Sequence, residues 1–371
     1  MKRKSTLVYI NPDYFTQVDD TVLCHLTNDF QVVWIYLYES FNLKSLRYGE
    51  EYVMEYGRKY GIKTIVRAIE KHGRHPSNYF FYRKLAKEIN SYNPDLVYHC
   101  LRNPYWGLAM KTTLHCKTVV MGVHDAQAHS YTRSITSVLN KCFRDVILKF
   151  HNHFVTFSKN QHDLFLSDFG LDSAMVGMSY KEFGKSDKKR SPLCEGVNLL
   201  FFGGIQLYKG LDLLIKAMEE LKEEKGIDNL HLTIAGNGAH WDMCKSCIKT
   251  PELYSLKVRF INNDEIPDLM SEAHFLCLPY RNATQSGPLV TAMAYELPII
   301  APSYGCFSDT YSDKSAILYS VGNIKDALEK VAKMSQTEYD QMQNNCRIVK
   351  ETHSERAITQ NYIEYFKSLL K

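Results

Sequence analysis

Short apolar runs alternate with stretches of helical periodicity along most of the chain. Thr6-Leu7-Val8-Tyr9-Ile10 reads as a strand, after which Val22, Leu23 and Leu26 fall at helical spacing. Residues 31–37, β-branched and aromatic, read as a second strand. The Tyr-rich region 43–90 reads as helical and stops at Asn93-Pro94, ahead of a strand over 95–100. A helix over 105–115 and strands over 117–123 and 153–158 continue the alternation. Between those two strands, residues 134–150 put Ile135, Val138, Leu139, Cys142, Phe143, Val146, Ile147 and Phe150 on one helical face, with Lys141, Arg144 and Lys149 among the polar positions.

The second half repeats the pattern, with strands over 198–202, 231–235, 257–261, 274–279 and 298–301 and an amphipathic helix over 211–222. A further helix starts at Asn323, and a last one over 356–370 carries Ile358, Tyr362, Tyr365, Phe366 and Leu369. Alternating strands and helices predict α/β domains with parallel sheets. The expected division is a first domain over 1–178, a linker over 179–196, a second domain over 197–355 and a C-terminal segment over 356–371.

Composition adds bounds. A chain of 371 residues, 45% hydrophobic and 23% charged, can bury two cores. No apolar run is long enough to span a bilayer, and Met1-Lys2-Arg3-Lys4 leads only into a short strand, so a cytoplasmic protein is expected. A net charge of +4 argues against a nucleic-acid partner. The basic run 181–190 reads as a solvated linker rather than a lipid patch, and Asp19-Asp20 as a solvated helix face. Cys244 and Cys247 form a lone CxxC without a second pair at zinc spacing and read as structural; no metal site is expected.

The candidate chemistry lies at strand ends. Gln285-Ser286-Gly287-Pro288-Leu289 joins an apolar strand to a small-residue helix, and first-turn N–H groups there favour an anion. Gly203-Gly204 ends another strand, with Lys209 at the entrance of the next helix; glycine permits close approach of a diphosphate and lysine adds a point charge. Gly236-Asn237-Gly238 ends a third strand. In the first half, the strand over 117–123 delivers His124 and Asp125 to its carboxyl end, where open α/β sheets bind ligands.

In order, Phe202-Gly203-Gly204 through Lys209-Gly210-Leu211-Asp212, then Ile234-Ala235-Gly236-Asn237-Gly238, then the block from Ser286-Gly287 to Pro298, resemble the carboxyl-terminal domain of GT-B glycosyltransferases of the retaining family 4 group. The resemblance implies a GT-B fold of two Rossmann-like α/β/α domains whose parallel sheets face an interdomain cleft. It also implies an acceptor-binding first domain, a nucleotide-sugar-binding second domain and a last helix crossing back to the first. His124, Lys209 and Gln285 would be catalytic. Gly203, Gly204, Lys209, Gly236, Asn263, Ser286, Gly287, Pro288, Leu289 and Thr291 would hold the donor, and His124 and Asp125 would face the acceptor.

The implied reaction is metal-independent sugar transfer, with retention, from a nucleoside-diphosphate sugar to a carbohydrate or lipid-linked glycan in polysaccharide or glycoconjugate synthesis, without an added cofactor. The helix over 134–150 reads by default as core-facing; the resemblance adds, as the alternative, peripheral contact of its basic positions with the inner face of the membrane. Family members carry an arginine where this chain has Gly204 or Gln206, and glutamates where it has Ala283 and Thr291. Some branches have a Thr-Gln-Ser-Gly turn like Thr284-Gln285-Ser286-Gly287. The alternative is a non-catalytic GT-B binding or regulatory protein; within enzymes, it is an epimerase or phosphorylase of the same fold.

Overall fold

A computed structural model describes residues 3–46, 48–73, 75–124, 146–283 and 285–371. Asp125, Thr284 and most of the expected helix over 134–150 therefore lie outside the described residues. The chain divides into two compact units, residues 1–179 with 355–371, and residues 180–354.

The first unit opens with β1 (Ser5–Pro12), α1 (Thr16–Leu26) and β2 (Phe30–Glu39), followed by α2 (Glu50–Tyr60), β3 (Lys63–Ile69) and α3 (Asn78–Asn90). Then come β4 (Leu96–His99), α4 (Pro104–Thr113), β5 (Val119–Val123), β6 (His153–Thr156), α5 (Lys159–Phe169) and β7 (Ala174–Met175). The strands pair in parallel in the order β3-β2-β1-β4-β5-β6-β7, the doubly wound order. Helices cover both faces, so β1 and β2 are apolar on consecutive residues from Leu7 to Ile10 and from Val32 to Leu37.

The C-terminal helix, Glu355–Leu369, belongs to this unit. Its Ile358, Tyr362, Ile363 and Phe366 are buried, with Tyr362 and Phe366 packed on Tyr98 of β4. Asn361 Nδ2 donates to Val176 O at 2.9 Å.

The second unit holds β8 (Val197–Phe202), α6 (Leu211–Lys225), β9 (Leu230–Ala235), α7 (Trp241–Lys245), β10 (Tyr254–Lys257), α8 (Ile266–Glu272) and β11 (Phe275–Cys277). It continues with α9 (Gly287–Ala294), β12 (Ile299–Pro302), α10 (Cys306–Thr310), β13 (Ala316–Tyr319), α11 (Ile324–Ala332) and α12 (Gln336–Thr352). Its sheet, β10-β9-β8-β11-β12-β13, repeats the same winding, again all parallel. Among the described residues, no helix is long and apolar enough to cross a membrane.

The structure departs from the sequence reading in four places. The region 43–90, read as helical, contains β3; as an edge strand it buries Ile65 and Ile69 and exposes Lys63 and Arg67, so its charges masked it. The strand read at 257–261 is β10, ending at Lys257, because Gly236 N–H takes the Lys257 carbonyl at 3.1 Å and the chain turns there.

The stretch expected as a linker lies on the second unit. Arg190 donates to the carbonyls of Ala273, Met270 and Tyr295, and Lys188 pairs with Glu272 at 2.9 Å. Asp19 and Asp20, read as solvated, are 1% and 4% exposed. Asp19 accepts from Tyr9 Oη at 2.7 Å and Asn11 Nδ2 at 2.9 Å, and Tyr52 Oη donates to Asp20 at 2.6 Å.

Candidate functional site

In the second unit the glycine turns lock into one another. Gly203 has φ +110° and donates to Ala235 O at 2.9 Å, and Ile205 N–H reaches Asn237 O at 2.8 Å. A Cβ at Gly236 would stand 2.0 Å from Gly203 O, and one at Gly238 2.1 Å from Ile205 O, so only glycine allows this approach. After a 3-10 turn at Leu207–Lys209, Gly210 at φ +67° starts α6 against the Pro279 carbonyl, which a Cβ would meet at 2.0 Å.

Arg281, just past β11, fastens this turn. Its backbone N–H donates to Tyr208 O at 2.6 Å, and its guanidinium reaches Leu207 O at 2.7 Å and both Asp212 carboxylate oxygens at 2.8 and 2.7 Å. Burial pushes the Asp212 carboxyl up, but the Arg281 hydrogen bonds and charge hold it below its ordinary value. Sequence reasoning missed this pair, because the helix start and the strand end that it ties are far apart in the chain.

The clamp delivers Lys209 to the crossing of the two βα turns. A Cβ on Gly203 would lie 3.2 Å from Lys209 Nζ and 3.3 Å from Pro288 Cγ, so the ammonium sits against the Gly203 backbone beside the first turn of α9. Lys209 is 8% exposed, its Nζ lies 5.5 Å from the centre of the Tyr280 ring, and among the described residues no carboxylate pairs with it. Burial alone brings its pKa down to about 8. A desolvated cation at a helix entrance opposes the helix dipole, and an anion beside it would relieve both penalties.

Ser286 is the N-cap of α9. Its Oγ accepts from Leu289 N–H at 3.3 Å and lies 3.2 Å from Tyr280 Oη. The anion site expected on the amides of 286–289 is therefore narrower: proline has no N–H and the Leu289 N–H is engaged by the cap, which leaves Ser286 and Gly287 as donors. Thr291 is buried and its hydroxyl turns back to Gly287 O at 3.1 Å. Ala283 is also buried, with Gly305 packed so closely that a Cβ there would stand 2.1 Å from Ala283 O. Gln285 is half-buried. Gly204 lines the turn without a positive φ. Asn263 is exposed on a 3-10 turn capped by Asn262 and Glu265, the latter paired with Arg259.

In the first unit, His124 follows β5 and is 3% exposed. Its ring is stacked between Phe15 at 3.6 Å and Phe157 at 4.0 Å. Phe15 ends the 3-10 turn Asp13–Phe15, and Asp13 opens a cavity of about 320 Å³ at the carboxyl ends of β1 to β4. Tyr38, Glu39, Arg102 and Asn103 also line it. Asp13 is buried and accepts from Tyr36 Oη and from Tyr48 N–H at 3.0 Å. Beneath the turn, Asn11 accepts from Trp34 Nε1 at 2.7 Å and donates to Asp19. Of the cavity residues, Pro12, Asp13 and Tyr14 directly follow the first strand read from the sequence.

Residues 196–337 match the family described as Glycosyl transferases group 1. Two curated proteins from Xanthomonas campestris pv. campestris, each named GDP-mannose:glycolipid 4-beta-D-mannosyltransferase, are 28% identical over 108 residues, or 28% of this chain. The match spans about 30% of those relatives' length. A glycosyltransferase from Rickettsia africae superposes with TM-score 0.70 at 17% identity, over 99% of both chains. Anabaena Alr3699/HepE in complex with UDP gives 0.70 at 11%, over 98% of this chain and 100% of that one. The lipopolysaccharide outer core galactosyltransferase WaaB gives 0.68 at 14%, over 98% and 99%. The fold is that of GT-B glycosyltransferases, two parallel-sheet α/β domains.

Proposed function

We propose that this chain is a nucleotide-sugar-dependent glycosyltransferase whose second unit holds the donor diphosphate between Lys209 and the start of α9. The observation that carries this reading is the buried ammonium of Lys209, without an anionic partner among the described residues, set against Gly203 and Pro288. As the bond from C1 of the sugar to the diphosphate breaks, charge grows on the departing oxygen. Lys209 and the N–H groups of Ser286 and Gly287 neutralise it. The acceptor oxygen bonds to C1 and its proton passes to the leaving diphosphate, which gives retention. The relatives' name specifies a β linkage, so the anomer of the product decides between retention and inversion.

The acceptor is a carbohydrate or lipid-linked glycan, and the cavity beside Asp13 in the first unit suits it: aromatic rings and paired polar groups are what a sugar face and its hydroxyls need. The Xanthomonas proteins act, by name, on a glycolipid, which favours a peripheral position at the inner face of the membrane. No metal or added cofactor takes part in this reaction. Ala283 and Thr291, uncharged and buried, favour a second reading as a non-catalytic nucleotide-binding protein.

Thermal unfolding with a panel of nucleoside diphosphates and their sugars, with and without chelator, tests the proposal. The matching nucleotide at a hundredfold excess over Kd should stabilise the chain by about 2.7 kcal/mol. Transfer to glycan acceptors should persist in chelator. Failure of every nucleotide contradicts the donor site, magnesium-restored turnover contradicts metal independence, and binding without turnover selects the second reading.

A further inference from the structure

At the other end of the first sheet, where β5 and β6 begin, a cavity of about 270 Å³ opens beside the last turn of α4. Lys111 enters it from α4, Lys117 from the turn before β5 and Lys149 from the segment before β6, with His153 opening β6 beside them. Among the described residues no acidic side chain lines it. Among the described residues none of these lysines is ion-paired, whereas Lys159, Lys222, Lys225, Lys325 and Lys350 each hold a carboxylate.

The floor is neutral and fixed. Leu101 N–H donates to His99 Nδ1 at 3.1 Å, so His99 carries its proton on Nε2 and donates it to His151 Nε2 at 2.7 Å. His151 in turn donates from Nδ1 to Ile147 O at 2.9 Å. Burial holds both imidazoles below their ordinary pKa, His151 at about 4. Both nitrogens of His151 are thus engaged, and the charge of the cavity comes from the lysines on its rim.

Three lysines from three separate segments line this one cavity, with no carboxylate among its described lining residues, and an anion held there would offset their mutual repulsion. A phosphate offers oxygens on several sides and more negative charge than a carboxylate, and lysine binds it as a point charge. The volume equals about nine waters at ~30 Å³ each, enough for a phosphate with a glycerol-sized ester. We propose that this cavity binds a phosphate group, carried either by a membrane lipid or by a soluble phosphate ester. It lies at the opposite ends of the strands from the Asp13 cavity, so its occupancy leaves that cavity open. This inference does not depend on the transferase reading.

The test compares the full chain with Lys111→Gln/Lys117→Gln/Lys149→Gln and with a control of equal charge, Lys84→Gln/Lys87→Gln/Lys185→Gln, at exposed positions outside the cavity. One arm titrates inorganic phosphate and glycerol 3-phosphate by calorimetry. The other floats the proteins with phosphatidylcholine vesicles with and without phosphatidylglycerol. The cavity triple should lose at least tenfold in affinity in one arm and the control less than twofold; the arm that responds identifies the source. Equal losses in both triples, or binding in neither arm, overturns the site. If the cavity triple does not fold, Lys117→Gln alone carries the test, with an expected loss of about threefold and the same overturning result.

Discussion

Past the first strand of each sheet lie buried ionisable groups, a lysine in one unit and aspartates in the other, and they are treated differently. At the end of β8 the cation Lys209 is buried without a carboxylate partner among the described residues. Past β1 the carboxyl groups of Asp13 and of Asp19 on α1 are buried and bound by Tyr36, Tyr48, Tyr9 and Asn11. Both positions lie at the switch point of the same winding, so topology places the ends and the turn residues decide their use. Gly203 and Gly210 bring backbone close around a charge left to be matched by a ligand. Asn11-Pro12-Asp13 instead uses its polar groups to hold the first unit together.

The largest effect that can break this comparison is removal of residues 356–371. It strips Ile358, Tyr362, Ile363 and Phe366 from the first unit, about 6–12 kcal/mol at ~1.5–3 kcal/mol per buried side chain, comparable to the stability of a whole domain. Hydrogen exchange should show β1 and β4 losing protection while β8 keeps it and nucleoside diphosphate still binds. Full protection of β1 in the truncated chain would show that the first unit does not need this helix.

A smaller effect separates structural from functional charge by pH. Burial drives the Asp19 carboxyl from 3.8 up to about 7, against hydrogen bonds from Tyr9 and Asn11 that lower it. Between those values the folded chain keeps a proton that the unfolded chain has lost. Stability from this group is therefore full at low pH, falls as pH rises through the window and levels off above about 7. At ~1.4 kcal/mol per pH unit, flattening as the folded group titrates, the wild type should lose about 2 kcal/mol between pH 5 and 7 relative to Asp19→Asn in urea unfolding. Parallel pH profiles would contradict it.

The parts of the fold that could be read from the sequence were those written in consecutive residues. Apolar strands covered on both faces and the glycines between strand and helix mark β1, β2, β8, β9 and their turns directly. β3 was hidden because an edge strand keeps Lys63 and Arg67 in solvent and so loses its apolar signature. Asp19 looked solvated because its partners come from β1, and nothing in a helical wheel shows that the strand beneath is polar at Tyr9 and Asn11. At the candidate site, Gly203, Lys209 and Ser286 were legible as types at strand ends. The Arg281–Asp212 clamp and the stacking of His124 between Phe15 and Phe157 arise only when separate strands meet.

The central claim is that Lys209 is a cation waiting for a diphosphate, and calorimetric titration of the best-binding nucleoside diphosphate across pH 7 to 9 tests it most directly. Hydrogen bonds to charged groups contribute roughly 1.5–3 kcal/mol, so Lys209→Ala should bind about ten- to a hundredfold more weakly. The free ammonium titrates at about 8 and a bound diphosphate would raise that value, so wild-type affinity should fall as pH rises above 8. The variant, with no proton to lose there, should show a flat profile. Equal affinities at pH 7, or the same pH dependence in both proteins, would remove the diphosphate from this turn.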